Sequence, residues 1–207
     1  MNSYVTVKQY ACFEYEDRKS VFIAECTPVK KESDALEFLA GIKKKYPDAR
    51  HHVYAYVLRE NATMRYSDDR EPQGTAGMPV LDAIRKNGCT DVVIVVTRYF
   101  GGTLLGTGGL VHAYGTSAVG ALEAAGIITY DTYAEVSVEV SYSDYQKVLP
   151  IIESDEVRVS DTKYLESVQI IGRIKKESAE VLFNKITECT SARAKCKILQ
   201  EIYDFVE

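Results

Sequence analysis

The chain has 207 residues, 46% hydrophobic and 27% charged, the make-up of an ordinary soluble globular protein with room for two small domains. No apolar run approaches the roughly 18–20 residues of a membrane span, and the opening MNSYVTVKQY lacks a basic-then-apolar leader, so a cytoplasmic protein with no membrane partner is expected. The net charge of −5 comes wholly from residues 131–207, since residues 1–130 balance 15 basic against 15 acidic groups; the strong basic surplus of a non-specific duplex binder is missing. Cys12, Cys26, Cys89, Cys189 and Cys196 are odd in number and never form a C-x-x-C pair, which predicts reduced, small core residues instead of disulfides.

In chain order, residues 4–15 and 21–27 read as strands around the polar turn Glu16-Asp17-Arg18-Lys19. A helix follows with Ser33 as its expected N-cap, apolar residues at helical spacing through Tyr46, and Lys43-Lys44-Lys45 in its last turn, where cations suit the dipole. Residues 51–58 and 62–66 read as strands, 67–75 (SDDREPQGT) as a polar loop, and 78–86 as a short helix. A buried β-branched strand (92–96) then runs into a glycine-rich stretch and a helix over 109–125 with many small residues. A domain boundary is placed near Tyr130, giving domains 1–130 and 131–207. Beyond it EVSVEVS alternates as a one-face-buried strand, and Ser143-x-x-Gln146 resembles a capping box. Pro150 predicts that the helix there is short or kinked. Strands at 157–164 and 167–174, a helix at 177–189 and a strand at 195–206 complete a β-α-β-β-α-β order, that of a ferredoxin-like unit. The class is α+β.

The chemistry-bearing residues gather in two segments. Arg98, Tyr99 and Phe100 end the buried strand, and Gly101, Gly102, Gly106, Gly108 and Gly109 follow within nine residues. A cation, two aromatics and bare backbone before a helix suit a phosphate and a stacked base. The alternative is tight strand-to-helix packing, with Arg98 paired to an acid of the SDDREP loop. No Gly-Lys-Ser/Thr closes this stretch, and the dinucleotide pattern fails where Val111 stands. Asp68, Asp69 and Glu71, near Gly74 and Thr75, form the second segment: they suit Mg²⁺ or acid–base work, or they cap the following helix and accept turn hydrogen bonds. His51, His52 and His112 form no triad with Ser or Cys, and no metal-ligand spacing is visible. At the start of a strand, His51 and His52 point to opposite faces.

Together these motifs resemble the IMPACT/YigZ family. The resemblance rests on Lys19-Ser20-x-Phe22-Ile23-Ala24, Ala49-Arg50-His51-His52-x-Tyr54-Ala55-Tyr56, Ser67-Asp68-Asp69-x-Glu71-Pro72-x-Gly74-Thr75-Ala76-Gly77-x-Pro79, and the run from Thr97 to Tyr114. It implies a ribosomal-protein-S5-domain-2-like N-terminal domain over about residues 4–125, followed by the ferredoxin-like domain. Val21 replaces a usual Arg, His112 a usual Lys or Arg, and Arg70 a usual Gly. The first two changes lower the positive charge there. Eukaryotic relatives of this family regulate translation under amino-acid starvation through an extra N-terminal domain absent from this sequence. The same two folds, in the same order, form the last two domains of elongation factor G, which points to ribosomal or structured-RNA surfaces by analogy of fold alone.

The expectation is therefore a non-enzymatic, cytoplasmic regulator linked to translation or stress. It would bind RNA, the ribosome or a translation-related protein, with no cofactor, metal or catalytic residue. Its ligand-binding residues would be Arg98, Tyr99, Phe100, Gly101, Gly102, Gly106, Gly108, Gly109 and His112. The facing loop would supply His51, Asp68, Asp69, Glu71, Gly74 and Thr75. The alternative is an enzyme acting on a phosphorylated small molecule or nucleotide, with the glycine-rich loop as phosphate cradle.

Overall fold

A computed structural model describes residues 3–205, and the chain divides at Tyr130 into two compact units. In the N-terminal unit, β1 (Tyr4–Val7), β2 (Ala11–Asp17) and β3 (Ser20–Pro28) precede α1 (Glu32–Lys45). β4 (His51–Val57) and β5 (Met64–Ser67) lead through the 67–76 loop to α2 (Gly77–Lys86), and β6 (Val92–Tyr99) to α3 (Gly106–Ala125). The five-stranded sheet has the order β2-β3-β6-β4-β5 with every neighbour antiparallel.

β6 is the centre of that sheet because its apolar residues serve both faces. Ile94 and Val96 pack with Phe22, Ala24, Val53 and the helices α2 and α3, while Val93 and Val95 pack with Tyr56, Leu39 and Ile42 beneath α1. Each such fully buried aliphatic side chain contributes about 1.5–3 kcal/mol. The small residues of α3 let it lie close to the sheet: a Cβ on Gly120 would stand 2.4 Å from the Phe13 ring.

Several boundaries differ from expectation. The strand expected over 4–15 is two, β1 and β2. Ser33 is not the cap of α1, since Lys31 holds that position and the Ser33 hydroxyl donates to the Asp34 carboxylate. β6 continues through Arg98 and Tyr99, and α3 starts at Gly106, whose φ of +74° makes the turn that admits the helix.

In the second unit, β7 (Ile127–Val140), α4 (Tyr142–Ser154), β8 (Arg158–Tyr164), β9 (Val168–Lys175), α5 (Lys176–Cys189) and β10 (Lys195–Phe205) follow in order. The strands pair antiparallel as β10-β7-β9-β8. This β-α-β-β-α-β order with β7 and β9 central is ferredoxin-like, and the α+β class expected from the sequence is observed. Val136, Val138, Ile170, Leu182 and Ile186 form its core. Ser141, not Ser143, caps α4: its hydroxyl accepts the Asp144 N–H. Pro150 sits inside a helix that continues to Ser154. Val206, expected in the last strand, lies outside the described residues.

Candidate functional site

The two segments singled out by sequence meet at one end of the N-terminal sheet. β6 ends there while β3 and β4 begin, so Arg98 stands opposite Phe22 on one side and His51 on the other. β5 ends opposite Tyr54, and the 67–76 loop turns back along β4. Two of its residues reach this path with positive φ, Asp69 at +41° and Arg70 at +72°.

That turn directs each acidic side chain inward. Asp68 Oδ1 accepts from the N–H groups of Ala76 and Gly77 at 3.1 and 2.8 Å, and its Oδ2 from Gly74 at 2.9 Å. A carboxylate therefore caps α2, the capping role weighed from sequence. Asp69 Oδ2 accepts the His52 N–H at 2.6 Å, and the Asp69 carbonyl lies 2.8 Å from His51 Nδ1. Thr75 is buried, with its hydroxyl donating to the Pro72 carbonyl.

Glu71 enters the interior. Its side chain is 5% exposed, and Oε1 accepts from Arg98 Nη1 at 2.6 Å and from the Tyr114 hydroxyl at 2.8 Å. His51 Nε2 stands 4.0 Å away. Burial, reinforced by the Glu71 carboxylate, holds the Tyr114 phenol protonated far above its ordinary range. Burial likewise lowers the His52 imidazole pKa, despite the nearby Asp69. Arg98 is 7% exposed and edged by the rings of Phe22 and Phe100, 5.4 and 5.8 Å from the guanidinium carbon, while its Nε has no partner. Its charge is thus paired within the fold, the second of the two readings the sequence left open.

The rest of the expected site separates. Tyr99 is half-buried, its hydroxyl donating to Asp48, and Phe100 is 52% exposed. Gly101 is required by packing: a Cβ there would lie 2.1 Å from the Lys19 carbonyl carbon. Gly102 and Gly106 need their φ of +86° and +74°, whereas Gly108 has open space where a Cβ would stand. Gly108 and Gly109 lie in the first turn of α3, whose N-cap Leu105 supplies no side-chain acceptor. His112 faces elsewhere. With Gly74, Phe13, Met78 and Val119 it lines a groove of about 580 Å³ beside α2 and α3, its ring edge-on to Tyr15 at 6.3 Å.

Sequence reasoning missed the rim. Lys19, Arg50 and Arg70 are exposed and form no ion pair among the described residues, Arg70 instead donating to the Arg50 carbonyl. Tyr114 and the exposed Leu104 (82%) were also missed. The visible signal was Arg70 itself, the departure from the family pattern.

The Impact N-terminal domain family matches residues 18–122, and the Domain of unknown function (DUF1949) family matches residues 138–193. The IMPACT family member YvyE of Bacillus subtilis is 33% identical over 95% of this chain and 91% of its own length. An IMPACT family member of Haemophilus influenzae is 33% identical over 97% and 98%. The chain belongs to the IMPACT family. Protein IMPACT of Bos taurus is 33% identical over 46% of this chain and 31% of its own length. A crystal structure described as that of a hypothetical protein superposes with a TM-score of 0.60 at 26% identity, covering 97% of this chain and 98% of that one.

Proposed function

We propose that this IMPACT-family chain is a non-enzymatic regulator of translation or stress responses, working in the cytoplasm and holding RNA at the sheet end of its N-terminal unit. One observation carries this reading: the three loop acids are consumed internally, which leaves Lys19, Arg50 and Arg70 on the rim beside the exposed Phe100 and the glycine backbone. Cations that track phosphates next to an aromatic face for a base are the elements of single-stranded binding. Arg98 serves this surface indirectly, by fixing the loop through Glu71. The enzyme alternative needs open carboxylates for Mg²⁺, and Asp68, Asp69 and Glu71 are already bonded to backbone donors or to Arg98.

The test is fluorescence anisotropy with a labelled single-stranded RNA across a salt series. Each lost phosphate contact lowers the log–log salt slope by about 0.7, so Arg50→Ala with Arg70→Ala lowers it by about 1.4. Phe100→Ala weakens binding about 5- to 150-fold, the equivalent of about 1–3 kcal/mol of stacking. Arg98→Ala leaves the slope unchanged. No binding by the wild type, or an unchanged slope in the double variant, overturns the proposal.

A further inference from the structure

The strand β10 is the outer strand of the second unit's sheet, bonded to β7 along one edge. It runs eleven residues, KCKILQEIYDF, so its other edge offers a row of backbone donors and acceptors about 37 Å long at 3.4 Å per residue. Strands at sheet edges are ordinarily kept short or interrupted, because such an edge pairs with any matching strand. This one carries Ile198 and Leu199 at its middle, each 42% exposed.

Its charges are arranged head to tail. Lys195 and Lys197 occupy the first half, Glu201 and Asp204 the second. The β7 register shifts between Ile198 and Gln200, so Leu199 is a bulge. Before the bulge, Lys195 and Lys197 lie across from Glu139 and Ser137; after it, Gln200, Ile202 and Asp204 lie across from Glu135, Tyr133 and Asp131. All five partners are odd-numbered on one strand, so all five β10 side chains share one face of the sheet. The bulge moves that face from odd to even numbering midway.

We infer that β10 is a self-complementary edge through which two copies of this chain pair antiparallel about a two-fold axis between Leu199 and Gln200. In this register Lys195 stands opposite Asp204 of the second copy, and Lys197 opposite Ile202. Cys196 stands opposite Tyr203, and Ile198 opposite Glu201. Every pair then falls on a common face, a match that depends on the bulge. The two-fold axis makes the Lys195–Asp204 pair twice, one at each end. Within the chain Lys195 reaches Glu139 at 3.4 Å, and Asp204 reaches Arg173 at 3.7 Å while its Oδ1 accepts the Phe205 N–H at 2.9 Å; the two side chains are 79% and 41% exposed. The two sheets would join into one continuous sheet, with Ile198 and Leu199 covered at the centre.

Sedimentation velocity of the full-length protein between about 1 and 200 µM tests this, with thermal unfolding as the control for folding. A reversible monomer–dimer equilibrium that weakens as salt is raised is expected. Lys195→Glu and Asp204→Lys should each raise the dimer Kd at least fivefold, and the two together should restore it to within twofold of the wild type. Should either single variant unfold, the wild-type salt dependence and Leu199→Pro, which blocks the edge at the bulge, take its place: the dimer must be lost. A monomer throughout the range overturns the inference. So does a dimer indifferent to both single variants, or a folded double variant that fails to recover.

Discussion

Replacing Glu71 with Ala should be among the most damaging single changes in the N-terminal unit, although the residue sits in a loop. Three groups depend on its Oε1: Arg98 Nη1 at 2.6 Å, the Tyr114 hydroxyl at 2.8 Å, and His51 at 4.0 Å. Removing the carboxylate strands a guanidinium that is 7% exposed and whose Nε is already unpartnered. Breaking one side of a buried pair costs about 3–5 kcal/mol, and an orphaned buried hydroxyl about 1–3 kcal/mol. Both losses arise from one oxygen, so they overlap instead of adding, and about 4 kcal/mol is expected. Against a total stability of about 5–15 kcal/mol that is a large fraction. With a urea dependence of about 1–3 kcal/mol per molar, the midpoint of the far-UV circular dichroism transition should fall by at least about 1 M. Adding Arg98→Met removes the stranded charge, and the double variant should be more stable than Glu71→Ala alone, because an apolar replacement of a buried pair is close to neutral. A midpoint shift under about 0.3 M, or a double variant less stable than Glu71→Ala, would refute a buried ion pair at this position.

Two further predictions separate required glycines from dispensable ones and locate an acid-sensitive contact. Gly101→Ala should lower the thermal stability by about 3 kcal/mol, since its Cβ meets the Lys19 backbone at 2.1 Å; Gly115→Ala, in mid-helix with nothing within 4 Å, should raise it by about 0.5–1 kcal/mol. In the second unit, hydrogen bonds from Arg193, then Lys147 and the Ser141 hydroxyl, hold the Asp144 carboxyl well below its ordinary range. Because its folded pKa is depressed, this contribution is complete above the unfolded carboxylate value of about 3.9 and is lost as pH falls below it. Asp144→Asn should therefore lower stability at pH 7 and flatten its decline between about pH 4 and pH 2, measured by thermal melts across that range.

The elements of the fold were legible because hydrophobic period and β-branched content act locally: 92–96 could be read as a buried strand and 177–189 as an amphipathic helix without knowing what covers them. The site was legible only as a pair of alternatives. That Arg98 pairs with the SDDREP loop was one of them, but the identity of the partner was not readable. Asp68, Asp69 and Glu71 have like chemistry, and the path of the loop, with positive φ at Asp69 and Arg70, decides which of them meets Arg98. Backbone conformations of that kind belong to the loop as a whole and leave no residue-level signature when the turn carries Arg in place of Gly. The helix starts erred for a related reason. Ser141 and Ser143 are both competent caps, and only the end of β7 at Val140 selects the first.

The arrangement at the sheet end also bears on how the proposed RNA surface would work in a unit whose charges balance. A unit with balanced charge gains little long-range attraction for RNA, so the proposed affinity must come from where its acids are placed. Burying Glu71 against Arg98 removes one charge of each sign and leaves the local balance unchanged. Asp68 and Asp69 differ, because their charges are held by hydrogen bonds from backbone N–H groups and consume no cation. Two negative charges are thereby drawn into the loop interior while Lys19, Arg50 and Arg70 remain outside. Substituting Asp68 by Asn would keep the shape of the turn while removing one of those inward charges. If charge placement governs binding, RNA affinity should rise slightly in that variant even as the cap on α2 weakens, and the opposite signs of the two effects separate the surface's electrostatics from the loop's stability.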